Sequence, residues 1–137
     1  MSGGAGKESG GGARVHPSDL WLRLLMGLAW IPVTAWAINW GAGRPVLPAA
    51  WAAWSLPAAF VLAVPGLAYG IAFRRRLEGP GQPPRPVLIR RLAVGSALAE
   101  LPAFAGLAGA IGGRPLWEFP VAMAVAVGLF LLVRPPR

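Results

Sequence analysis

Cysteine is missing from the 137 residues, which excludes a disulfide framework, a thiol nucleophile and a Cys-ligated metal. Histidine occurs once, as His16, among polar residues. Asp and Glu number only five, and of these Glu100 alone falls deep within an apolar run. A metal site needs several such ligands converging on one point, so no metal and no other cofactor is expected. A nucleophile, a base and a group to orient them cannot be assembled either, so the expectation is a protein that is not an enzyme. Charged residues of both signs make up 13%, against roughly 25% in a soluble domain.

Long apolar runs take their place. Hydrophobic residues account for 55% of the chain, and they lie in continuous stretches of about the length needed to cross a bilayer. The net charge of +8 does not mark a nucleic-acid-binding protein. The arginines cluster between the apolar runs, with no separate basic domain and no aromatic platforms for bases.

Residues 1–19 are rich in Gly, Ser and charge and have no apolar periodicity, which predicts a disordered tail. Within it, Gly6-Lys7-Glu8 lacks the glycine spacing and the Ser or Thr of a phosphate-binding loop. Residues 20–137 then form one domain with four runs, at residues 20–40, 46–73, 92–111 and 116–133. Trp21 and Trp40 flank the first at interface depth. Ala35-Trp36-Ala37 resembles a signal-peptide cleavage site, but the run continues apolar beyond it, so a retained span is expected. The second run contains Pro48, Pro57 and Pro65, which predicts bending. Residues 74–91 form a basic, proline-rich connector. The expected fold is therefore all-α: a polytopic membrane protein with four transmembrane helices arranged as two hairpins.

Four spans put the tail, the connector and the residues after 133 on one side. That side holds every Lys and Arg except Arg44 and Arg114. Cytoplasmic loops are enriched in Lys and Arg, so both termini are expected in the cytoplasm. The same connector has the charge to attract anionic lipid headgroups. The third run is crowded with Gly, Ala and Ser, including Ala105 and Gly109 four residues apart. Such a face lets helix backbones approach closely. It serves either the packing of this chain's own bundle, the favoured reading, or a homo- or hetero-oligomeric contact.

Glu100 is the residue that most needs a role, because a charge near mid-membrane costs several kcal/mol. The neutral acid is the expected form, and Pro102 leaves the Leu98 carbonyl without its helical donor. Glu100 has that carbonyl or Ser96 as expected hydrogen-bond partners. Thr34 and Ser55 are the other polar groups expected near mid-depth. Together, Glu100, Ser96, Thr34 and Ser55 are the candidate ion-binding residues.

Residues 97–108, Ala-Leu-Ala-Glu-Leu-Pro-Ala-Phe-Ala-Gly-Leu-Ala, resemble the ion-binding helix of rotary ATPase proteolipid subunits. The resemblance implies that Glu100 carries a proton or sodium ion. The layout as a whole resembles a set of uncharacterised bacterial four-span proteins of similar length, which implies a bacterial inner-membrane location. From these readings the leading expectation is a structural or accessory membrane subunit. The alternative is a component of proton- or ion-coupled transport, or of a channel, that uses Glu100.

Overall fold

The computed structural model describes residues 16–43, 45–81 and 83–135; the expected disordered tail lies almost wholly outside them. Among the described residues there are helices and no strand. They are α1 (Pro17–Ala42), the short α2 (Ala49–Ala52), α3 (Ser55–Glu78), α4 (Arg85–Ile111) and α5 (Glu118–Leu132). Three of them, α1, α3 and α4, are long and apolar enough to cross a membrane. At 1.5 Å per residue each exceeds the roughly 30 Å hydrocarbon core. With 15 residues, α5 extends only about 22 Å.

Where the helices begin and end follows from capping and proline chemistry. The His16 side chain accepts from the Ser18 amide, and Pro17 occupies the first turn of α1, where a missing N–H costs nothing. Residues 17–19, expected in the tail, are therefore helical. The second apolar run is not one helix. Pro57 has no N–H to give the Ala53 carbonyl, so the chain makes a turn at residues 53–54 and α3 starts afresh at Ser55. At its far end α3 runs on through Arg74, Arg75 and Arg76, which are good helix formers, as far as Gly79. Pro84 caps α4 and Pro86 sits in its first turn. These prolines start a helix seven residues earlier than the apolar run, and the expected connector of residues 74–91 shrinks to residues 79–84.

Contacts at the helix ends set their directions. Tyr69, late in α3, donates to the carbonyl of Arg91, early in α4, while Ser55 at the start of α3 lies against Gly109 near the end of α4. These two helices are antiparallel. Gly106 of α4 faces Ala122 of α5, and Gly95 faces Val133, so this pair is antiparallel as well. Asn39 donates to the Ala110 carbonyl, and His16 and Pro17 border the same cleft as Arg85 and Leu88, so α1 runs parallel to α4.

The central element is α4, which packs on α1, α3 and α5. Leu28 and Ile31 of α1, Ala99 and Ala103 of α4, and Ala126, Leu129 and Phe130 of α5 form the main core cluster. Ala59, Ala105 and Ala122 form a second. The small residues of α4 thus serve contacts inside the chain. A methyl group on Gly106 would meet the Ala122 methyl at 2.6 Å, a distance that side-chain rotation cannot relieve. Pro102 frees the Leu98 carbonyl, as expected from the sequence. That carbonyl points at Gly66 of α3, where an added Cβ would come within 3.2 Å of its oxygen. The orphaned acceptor faces a bare helix backbone instead of a side-chain donor.

Candidate functional site

The four polar residues singled out by the sequence do not form one site. Thr34 is exposed, and its hydroxyl donates to the Trp30 carbonyl one turn back at 2.9 Å, which uses its proton within α1. Ser55 is buried, but it is the first residue of α3. It lies beside Gly109 at one end of the bundle and not at mid-depth. The broken second run accounts for this shift, because the helix that carries Ser55 begins there. Ser96 is 1% exposed, and its hydroxyl oxygen has no hydrogen-bond partner.

Glu100 is half-buried near the middle of α4. Among the described residues its carboxyl makes no hydrogen bond, either to Ser96 or to the Leu98 carbonyl. Helical geometry explains this position. On one side of Glu100 lies the row with Ala99 and Ala103, packed against Leu28 and Ile31 of α1. On the other side Ala93, Ala97 and Phe104 are exposed. Glu100 stands on the rim between the two, reachable from outside the bundle. The expected tie between two helices is therefore not made.

The two ends of the bundle are polar in different ways. One end carries Arg23, Arg74, Arg75, Arg76, Arg85, Arg90, Arg91 and Arg134. Several of these arginines have partners within the chain. Arg74 donates to the Leu131 and Leu132 carbonyls, both at 3.2 Å, and completes the last turn of α5. Arg134 lies 5.8 Å from the centre of the Trp21 ring, a cation–π distance. The Trp21 indole in turn donates to the Phe130 carbonyl.

The opposite end has Arg114 and the buried Glu118, joined through both carboxylate oxygens at 3.1 and 2.5 Å. The hydrogen bond to Glu118 pushes the Arg114 guanidinium up from its ordinary value, so the cation is held in its charged form. Around this pair stand exposed tryptophans: Trp36 and Trp40, with ring centres 5.4 Å apart, and Trp51, Trp54 and Trp117. Counting the arginines as a topological signal located the basic end. It did not single out the partners of Arg74 or Arg134, because those depend on which carbonyls and rings the fold brings near. Compared with known proteins, the chain matches no family model, no curated protein and no solved structure.

Proposed function

We propose that this chain is an integral membrane protein of four spans, arranged as two hairpins with both termini in the cytoplasm, and that it serves as a structural or accessory subunit in a bacterial inner membrane. The observation that carries the reading is the sorting of side chains by end. Arginines gather at one end of an apolar bundle, where the positive-inside rule expects the cytoplasm. Tryptophans gather at the other, where indoles favour the interface. Although α5 is short, it is strongly apolar and packs along both α3 and α4, and residues 116–117 and 133 extend its apolar length. A packed core without a gathering of polar groups at its centre favours a scaffold over a catalyst.

Reporter fusions test the layout. Reporters inserted within residues 79–81 and within residues 113–117 are expected to mark opposite sides, with a reporter after residue 135 matching the first. Agreement between the two loops would refute the crossing of α4.

A second reading, ion handling at Glu100, draws on its half-buried rim position and on the proteolipid-like stretch around it. Glu100→Gln separates the two. Accessory function should survive the change, since Gln keeps the shape of the side chain and its capacity to hydrogen-bond. Ion carriage should be abolished, since an amide cannot release a proton.

A further inference from the structure

At the basic end, a cleft of about 200 Å³ opens between the last turns of α3 and the first turns of α4. Its walls are Tyr69, Ala72, Phe73 and Arg76 from α3, and Arg91 from α4. The residues divide by chemistry into an apolar set and a cationic pair. The apolar set is buried Phe73, Ala72 and the ring of Tyr69. The Tyr69 hydroxyl is already engaged by the Arg91 carbonyl at 3.0 Å, which leaves the ring to line the cleft. Two arginines from different helices, Arg76 and Arg91, complete the lining.

The arginines are not all engaged alike. Arg74 is bonded to carbonyls of α5, Arg114 to Glu118, and Arg134 lies over Trp21. The side chains of Arg76 and Arg91, like those of Arg23, Arg75 and Arg90, have no ion pair or hydrogen bond among the described residues, and of these five only Arg76 and Arg91 line the cleft. Two unpartnered cations across one cleft suit an anion with several acceptor oxygens. An apolar floor in the same cleft suits an attached hydrocarbon chain. The cleft also sits where α3 passes from Phe73 to its arginines and α4 from Arg91 to Leu92, the level at which a helix leaves the hydrocarbon.

We infer that this cleft is a binding site for the phosphate headgroup of an anionic membrane lipid, with Arg76 and Arg91 on the phosphate and the first part of an acyl chain along Phe73 and Ala72. The inference rests on the membrane reading above. A free phosphate would use the arginines and leave the apolar floor empty, so lipid is the occupant that accounts for both halves of the cleft.

Native mass spectrometry of the full chain tests this directly, with the protein released from detergent micelles that contain either phosphatidylglycerol or phosphatidylcholine. One phosphatidylglycerol should be retained in marked preference to phosphatidylcholine. In R76Q/R91Q most of that preference should be lost, since both charge-assisted contacts to the phosphate are removed. The control R75Q/R90Q removes the same charge from residues outside the cleft and should change it far less. R76K/R91K, which keeps the charge, should retain most of it. Circular dichroism of each variant checks that the helices persist.

Equal retention of the two lipids would overturn the inference. So would equal losses in the two Gln pairs, which would make the attraction a property of the whole basic end. Displacement of the lipid by millimolar inorganic phosphate would overturn the lipid assignment in favour of the free anion. Failure of the membrane reading is seen separately: the chain would leave the membrane fraction on alkaline carbonate washing.

Discussion

At the end of the bundle where α3 stops and α4 starts, positive charge is abundant and mostly exposed. At the other end a single guanidinium among the described residues is clamped by a buried carboxylate, and five exposed indoles stand among the apolar residues. Both ends must finish an apolar bundle against something polar, and they do so by different means. The arginine end has long side chains that reach out or cap a neighbouring helix, as Arg74 caps α5. The tryptophan end has rigid rings with one polar edge and one closed ion pair. The difference teaches that net charge alone is a poor description of this protein. Among the described residues, eight of the nine arginines stand at one pole.

That polarity is open to attack in several ways, and the largest effect should come from moving the charge. Replacing Arg75, Arg76, Arg90 and Arg91 with Gln while introducing Arg at exposed positions 53 and 116 should invert or scramble the orientation of a large share of the molecules. Reporters in the two loops would measure the share, and a wholly unchanged orientation would show that charge does not set it. Next in size is the Arg114–Glu118 pair. Arg114→Met leaves a buried carboxylate without its partner, a situation that destabilises strongly. The melting temperature in detergent should fall by several degrees and be largely restored in Arg114→Met/Glu118→Met. No recovery in the double variant would mean that the pair does not act as a unit.

Gly106→Ala should have a smaller effect, about 1–3 kcal/mol of destabilisation from overpacking, because the new methyl meets that of Ala122. Unfolding by denaturing detergent would register it, and full stability would require a looser α4–α5 interface. The smallest effect is expected at Glu100. With no hydrogen bond to lose, Glu100→Leu should change stability by less than about 1 kcal/mol, the scale of a single intramembrane hydrogen bond. A clearly larger loss would reveal a partner for the carboxyl.

The sequence made the helical class legible through the length of its apolar runs, and the segregation of arginine through the positions of residues 74–76 and 90–91. Helix ends were harder to read. Proline carries two meanings, and Pro84 and Pro86 look like a loop until a helix starts on them, while Pro57 breaks a run that hydropathy alone reads as continuous. The candidate site was read less well for a related reason. Depth in a run places Ser55 at mid-membrane only if that run is one helix. Whether Glu100 faces Ser96, α1 or the outside depends on rotation about the axis of α4, and that rotation is set by where Gly66, Gly95 and Gly106 allow neighbours to approach. Small residues occur on several faces of α4, so their pattern alone does not show which face meets which helix.

The bonds from Arg74 to the last carbonyls of α5 also bear on how the chain matures. A ribosome delivers α5 after α1, α3 and α4, and α5 is the shortest of the long helices. Its C-terminal turn is closed by an arginine more than fifty residues upstream in sequence, and its packing face is received by glycines at 95 and 106. The hydrogen bonds that close the last turn of α5 therefore depend on its docking against α3. A chain interrupted before residue 118 would present an unfilled groove along α4. Such a groove would leave Gly106 and Gly95 without Ala122 and Val133, the residues that cover them.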